Sequence, residues 1–294
     1  MIENIKNMNI GLVYENIDLK KYTTYKVGGT GRLLVIPDTI EKLVELLNYL
    51  KENNIKYKII GNGSNLIFVN DYNGVLIKLD KLNNVQINDK EVTAEAGASL
   101  IGLALKVSRM GLKGMEFATG IPGTIGGAVY MNAGAYKEDM ASIIKKVKLL
   151  DENDNIIELN KEELEFGYRK SILQSKKYVC LEATFLLDYG NIDEIMALIE
   201  KRKQKRIETQ PLEYPSAGSV FRNPENGFAW QLIDDIGYKG KRIGDAMVSE
   251  KHANFIINVG NANGSDIKEL IDEIKNKVKD KYNIDLKVEQ EIVE

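Results

Sequence analysis

The run Thr119-Gly120-Ile121-Pro122-Gly123-Thr124-Ile125-Gly126-Gly127-Ala128-Val129 constrains this chain more than any other stretch. It sets four glycines and one proline among small and apolar residues, with no charge. Glycine reaches positive φ and lets another backbone or a ligand come close. Proline fixes φ and removes one donor. Successive exposed N–H groups in such a run form an anion-binding concavity. The segment therefore reads as bare backbone presented to a phosphate-bearing ligand. A tight loop packed beneath another element would use the same residues, and for a lone glycine loop that is the default reading.

A second loop, Gly61-Asn62-Gly63-Ser64-Asn65-Leu66, strengthens the ligand reading. It follows the strand-like Tyr57-Lys58-Ile59-Ile60 and offers N–H, hydroxyl and amide groups together. Leu66 stands where G-x-G-x-x-G would need its third glycine, and no G-x-x-x-x-G-K-[ST] motif occurs. A dinucleotide fingerprint and a P-loop are both disfavoured.

With these loops in view, the chain resembles the UDP-N-acetylenolpyruvoylglucosamine reductase family over nearly its whole length and in order. Gly61 to Leu66 and Gly120-Ile121-Pro122-Gly123-Thr124-Ile125-Gly126-Gly127 are similar to that family's two FAD-binding loops. Further similar segments are Thr23-Thr24-Tyr25-Lys26-Val27-Gly28-Gly29, Tyr130-Met131-Asn132-Ala133-Gly134-Ala135-Tyr136 and Gly167-Tyr168-Arg169-Lys170-Ser171. Gln210 to Phe221 and Val248-Ser249-Glu250-Lys251-His252-Ala253-Asn254-Phe255 complete the set. The resemblance implies an α+β fold of the vanillyl-alcohol-oxidase/PCMH type. Two FAD-binding subdomains, 1–80 (completed by 284–294) and 81–205, are expected to enclose FAD, and a substrate domain, 206–283, to close over it. It also implies an NADPH-dependent reduction of a UDP-sugar enolpyruvyl ether to UDP-N-acetylmuramate, a peptidoglycan precursor. Non-covalent FAD is expected to bind at Gly61, Asn62, Gly63, Ser64, Asn65, Leu66, Gly120, Ile121, Pro122, Gly123, Thr124, Gly126 and Gly127.

Three positions are similar to the family's catalytic set. Arg169 is placed to hold the substrate carboxylate as a two-pronged hydrogen-bond donor. Ser219 is the implied proton donor, with Ser216 as its rival. Glu289 is the third. Here the chain departs from the family pattern, which follows this glutamate with an apolar residue, whereas this chain has Gln290. Glu291 therefore competes, and strand alternation puts both glutamates on one face. Tyr168 and Asn223 are similar to positions near the UDP-sugar, although Asn223 also suits the turn before Pro224. No long extra substrate-covering loop fits between Ala141 and Gln210, which resembles the shorter form of the family. Another FAD oxidoreductase of the same fold, or a nucleotide-binding module without catalysis, would share the glycine loops.

Composition adds exclusions. A net charge of −3 makes no electrostatic case for nucleic acid. The basic run Lys201 to Arg206 reads as a solvated helix face, with a phosphate site as the alternative. One cysteine, Cys180, rules out an intrachain disulfide framework and sits in an apolar strand pattern that favours packing. One histidine, His252, makes no zinc site, no metal cluster is expected, and no G-x-S-x-G elbow supports a hydrolase. With no apolar span and no signal pattern, the expectation is a cytoplasmic protein without a membrane contact. No protein partner is inferred.

Periodicity sets out the elements. Thr39 caps a helix carrying Leu43, Leu46, Leu47 and Leu50; Ser99 caps one carrying Leu100, Leu103, Ala104 and Val107 and closing near Gly111. The second glycine loop opens toward a helix through Tyr130. Lys145 to Leu159 reads as a hairpin around Asp151–Asn155. A charged helix over 192–208 marks a module boundary. Further expectations are a helix over 227–236, a strand over 253–259, a helix capped by Ser265, and a final strand over 284–293.

Overall fold

The computed structural model describes residues 1–294. The chain forms two compact units: Met1–Tyr14, Leu33–Gly61 and Gly74–Lys203 make the first, and Glu15–Arg32, Asn62–Asn73 and Gln204–Glu294 the second. The chain changes unit inside the strands Gly11–Asp18, Thr30–Pro37 and Tyr72–Lys78, after Gly61, and inside the helix Ile192–Thr209. Each unit mixes helices with strands, the α+β class read from the sequence.

The first unit contains an antiparallel sheet in the order Ile156–Asn160, Ile144–Leu150, Val179–Leu186, Glu91–Glu95, Val85–Asn88. The expected hairpin is there, with Lys146 opposite Asn160 and Leu150 opposite Ile156. Its turn is fixed by the Asp151 carboxylate, which accepts the N–H groups of Asn153 and Asn155. A register shift between Lys148 and Leu149 breaks the alternation, so Leu149 and Leu150 are both buried. Cys180 packs in this core, and burial pushes its thiol up to about 12.

Two helices deliver the chain to the glycine loops. In Ile40–Glu52, the Thr39 hydroxyl accepts the Lys42 N–H, a cap worth about 1 kcal/mol. The four leucines on its inner face are fully buried, each contributing about 1.5–3 kcal/mol. The strand Tyr57–Ile60 then runs parallel to Val75–Lys78 and ends at Gly61. Leu100–Arg109 repeats the device, with Ser99 as cap and Gly111 closing at φ +80°.

The second unit packs the helix Gly264–Tyr282 through Ile267, Leu270, Ile271, Ile274 and Val278 into a core with Tyr25, Phe221 and Val248. Its antiparallel sheet has the order Arg242–Ile243, Ala246–Val248, Ile256–Asn258. Two expectations are corrected here. The helix is capped by Asn263, in a capping box with Asp266, and not by Ser265. The helix starts earlier than expected, at Gly264, where a Cβ would collide with the Phe68 carbonyl, so the capping pair falls at Asn263 and Asp266. The terminal segment 284–293 is not one strand. Glu291–Val293 pairs in parallel with Leu66–Phe68, Val288 makes a single bridge to Phe221, and the chain bends at Gln290 between the two. The alternation expected to align Glu289 with Glu291 is interrupted there. The expected helix over 227–236 and strand over 253–259 shorten to Ala229–Asp235 and Ile256–Asn258. No helix is long and apolar enough to cross a membrane.

Candidate active site

In the first unit the two glycine-bearing segments meet. A Cβ on Gly61 would lie 2.8 Å from the Thr124 hydroxyl oxygen, so Gly61 is required for the approach. Thr124 caps the helix Ile125–Met131 by accepting the Gly127 N–H at 3.3 Å. Gly126 lies on Ala96: its N–H donates to the Ala96 carbonyl at 2.8 Å, and an added Cβ would stand 2.9 Å from the Ala96 Cβ. Packing thus explains Gly126. It does not explain Gly123, beside which a Cβ would meet nothing within 4 Å, nor the exposed Gly127. At these two the backbone is left uncovered by a side chain of its own, with the Gly123 N–H turned to the Ile121 carbonyl and the Gly127 N–H to the Thr124 hydroxyl, which leaves room for a cofactor to come close. The residues present therefore fit FAD at this loop.

In the second unit the rest of the first loop is braced from two sides. Gly63 adopts φ +63°, and a side chain there would collide with the Tyr22 carbonyl. Its own carbonyl accepts the Thr24 N–H at 3.3 Å. Asn65 donates through Nδ2 to the Glu289 carbonyl at 3.1 Å and accepts the Glu291 N–H at 2.8 Å. The loop and the terminal segment are therefore one hydrogen-bonded assembly.

Arg169 belongs to the first unit. It occupies a tight turn with φ +56°, where Gly167 and Lys170 exchange backbone hydrogen bonds. Its Nη2 donates to the Gly134 carbonyl at 2.7 Å, and its guanidinium lies 5.1 Å from the ring centre of the exposed Tyr168. The turn is held by Asn132, whose Nδ2 donates to the Gly167 carbonyl at 2.9 Å and to Asp139 at 3.0 Å. Gln174 binds the Arg169 carbonyl at 3.1 Å. From the basic helix run, Arg202 pairs with Glu138 at 2.8 Å and stacks on Tyr136, securing the hairpin that contains Gly134.

Ser219 and Glu289 belong to the second unit, and their segments are adjacent. Glu289 N–H donates to the Val220 carbonyl at 2.8 Å, and Arg222 N–H to the Lys287 carbonyl at 2.9 Å. Asn254, almost fully buried, grips the chain beyond Ser219: Oδ1 accepts the Phe221 N–H and Nδ2 donates to the Phe221 carbonyl. On the other side, the buried Gln290 reaches the carbonyls of Ala217 and Gly218. Ser216 precedes this clamp. Glu291 is drawn instead into the strand beside Leu66. Asn223 uses Oδ1 to accept the Ala229 N–H at 3.1 Å, which is the turn-shaping role open to it from sequence. His252 accepts the Asn254 N–H through Nδ1, and burial lowers its pKa. No group of acidic, histidine or cysteine side chains is placed to hold a metal ion. Asn132, Asn254, Gln290 and Tyr25 have no role assigned from the sequence alone. The only signal was a polar residue set inside an otherwise apolar or glycine-rich motif.

Residues 32–160 match the family model described as an FAD binding domain. This makes the protein an FAD-dependent oxidoreductase. Residues 210–293 match the C-terminal domain of UDP-N-acetylenolpyruvoylglucosamine reductase. A relative of that name from Anoxybacillus flavithermus is 48% identical over 99% of this chain and 97% of its own length. Another from Caldanaerobacter subterraneus is 44% identical over 100% and 98%. The crystal structure of the reductase from Thermus caldophilus superposes with a TM-score of 0.81 at 33% identity, covering 96% of this chain and 98% of that one. The chain belongs to the UDP-N-acetylenolpyruvoylglucosamine reductase family.

Proposed function

We propose that the protein reduces the enolpyruvyl ether of UDP-N-acetylglucosamine-enolpyruvate to UDP-N-acetylmuramate, with NADPH as donor, in cytoplasmic peptidoglycan precursor synthesis. The observation that supports this most is the full-length match to relatives named for that reaction. FAD, held without a covalent bond by Gly61–Leu66 and Gly120–Gly127, supplies the hydride carrier between NADPH and substrate. In this reading 1–80 with 284–294 and 81–205 are the FAD-binding subdomains, and 206–283 is the substrate domain.

Hydride addition to the terminal methylene carbon pushes charge toward the carboxylate-bearing carbon. Arg169 meets that charge, because a preorganised cation stabilises what develops only in the transition state. Ser219 delivers the proton to the ether carbon, a role that requires its hydroxyl to come within hydrogen-bond reach of that carbon. Glu289 is the third member of the set, and its backbone N–H binds the Val220 carbonyl. The Glu289–Val220 backbone hydrogen bond favours Glu289 over Glu291, because it sets that residue next to the serine segment. Tyr168 and Asn223 contact the UDP-sugar.

The test is anaerobic NADPH consumption by the FAD-loaded protein with and without UDP-N-acetylglucosamine-enolpyruvate. Sustained consumption only with that substrate is expected. Bleaching of the flavin once by NADPH, without recovery on adding substrate, would leave a flavoprotein acting on something else.

A further inference from the structure

A single buried amide joins the two segments of the second unit that carry Ser219 and Glu289. Gln290 is 4% exposed, and its Nε2 donates to the Ala217 carbonyl at 3.0 Å and the Gly218 carbonyl at 3.2 Å. Those carbonyls only accept, so the amide must turn its nitrogen toward them and its oxygen the other way. Oε1 then faces the hydroxyl of Tyr25, which is fully buried and donates to it at 3.0 Å. Tyr25 is itself fixed, because its carbonyl accepts Nδ2 of the buried Asn258 at 3.1 Å. Every polar atom of the Gln290 side chain has a protein partner.

The position of this amide matters more than its strength. Ser219 follows Gly218, which adopts φ +73° with open space where a Cβ would stand, so its turn has no packing against that side. Gln290 holds the turn just before Ser219, and Asn254 holds the chain just after it. Gln290 also follows Glu289 directly, at the bend where the terminal segment leaves Val220 and joins Leu66. Moving the amide would shift the serine turn and the glutamate together.

We propose that Gln290, oriented by the Tyr25 hydroxyl, is a positioning residue for proton delivery, fixing the Ser219 turn against the Glu289 segment. The proposal rests on the reading that Ser219 and Glu289 serve the substrate. It predicts a selective defect: the step that uses substrate suffers, and the step that uses NADPH does not. Misplacement of a reacting group by about 1 Å costs on the order of 100-fold.

The test compares Gln290→Met, Tyr25→Phe and Ser219→Ala in the FAD-loaded full-length protein. Methionine keeps the volume and cannot donate to either carbonyl. Anaerobic stopped-flow follows flavin bleaching by NADPH and, separately, recovery of colour on adding UDP-N-acetylglucosamine-enolpyruvate. Gln290→Met is expected to slow the recovery roughly 10- to 100-fold while bleaching stays within about twofold. Tyr25→Phe, which leaves the Nε2 hydrogen bonds in place, is expected to show the same selectivity at roughly a third of that size or less. It carries the test if Gln290→Met does not fold. Hydrogen exchange supplies a readout without turnover: the amides of Val220 and Glu289 should exchange faster in Gln290→Met than in the parent, because local opening governs their protection. Equal slowing of both steps, or no slowing with unchanged exchange, overturns the proposal while a slow Ser219→Ala keeps the catalytic reading. A Ser219→Ala variant with normal recovery overturns the catalytic reading and this proposal with it.

Discussion

Arg169 and the Ser219–Glu289 pair are carried in opposite ways. Arg169 stands at positive φ on a surface turn whose backbone is held by the side chains of Asn132 and Gln174. Arg169 is half-buried, and its Nη2 donates to the Gly134 carbonyl. Ser219 and Glu289 lie on neighbouring segments, joined by backbone hydrogen bonds and steadied by buried Gln290 and Asn254. A carboxylate grip can tolerate a mobile arm, because arginine is long and its fork is planar and already set for two hydrogen bonds. A hydroxyl in the proton-delivering role proposed for Ser219 has no such reach. The buried ties are therefore where the geometry is most demanding.

The sharpest way to break that contrast is kinetic. Ser219→Ala is expected to lower kcat by about 10³-fold with little change in the substrate KM, the mark of an interaction made only in the transition state. Arg169→Ala is expected to lower kcat/KM by about 10²-fold, with a rise in KM carrying part of it, because in the proposed role Arg169 would hold the carboxylate in the ground state too. Steady-state measurements with the enolpyruvyl substrate decide between them. A KM defect at Ser219 together with a pure kcat defect at Arg169 would invert the assigned roles.

A smaller effect probes how the arginine turn is carried. Asn132 is 1% exposed and adopts φ 41°. Its side chain binds the Gly167 carbonyl, Asp139 and the Ala141 N–H. Asn132→Ala leaves buried groups unpaired and puts an ordinary residue in the left-handed region, so a loss of about 2–3 kcal/mol in denaturant unfolding is expected. Asn132→Gly removes the same hydrogen bonds but accepts the conformation, and should recover about 1 kcal/mol of it. Equal losses for the two variants would place the whole cost in the hydrogen bonds and none in the backbone.

The same contrast explains what the sequence made legible. The helices capped by Thr39 and Ser99 are signals contained within four residues, and each is in place. The glycines of the two loops stood out because glycine has few other reasons to cluster. The strand Gly11–Asp18 passed unnoticed because only Ile17 in it is buried, so no apolar alternation marks it. Asn263 rather than Ser265 caps its helix, which starts at Gly264 against a strand distant in sequence. Gln290 was the least legible residue. Its partner Tyr25 lies 265 positions away, and in the linear chain it registers only as a departure from a family pattern. Arg169, Ser219 and Glu289 were singled out by resemblance, and nothing in their local spacing would have separated them from surface residues.

Alkaline pH gives the smallest effect and compares the two cores directly. Burial pushes the Cys180 thiol in the first unit up to about 12, from a starting value of 9.0. Burial also raises the Tyr25 phenol in the second unit, from 10.0. In both cases the folded state keeps its proton longer than the unfolded chain. The unfolded state therefore binds fewer protons above its own pKa, and stability must fall as pH rises. For Cys180 the contribution is complete below about pH 9 and declines toward 12, with a loss of about 1.4 kcal/mol by pH 10 at 1.36 kcal/mol per unit. For Tyr25 the decline begins only above about pH 10. Denaturant unfolding of the parent and of Cys180→Val at pH 8, 9 and 10 isolates the thiol, since only the slope against pH matters and any packing change is constant. The parent should lose stability faster than the variant between pH 9 and 10, and Tyr25→Phe should track the parent over that interval. Parallel slopes for the parent and Cys180→Val would mean that the thiol is not held neutral in the first core, and that alkaline sensitivity starts elsewhere.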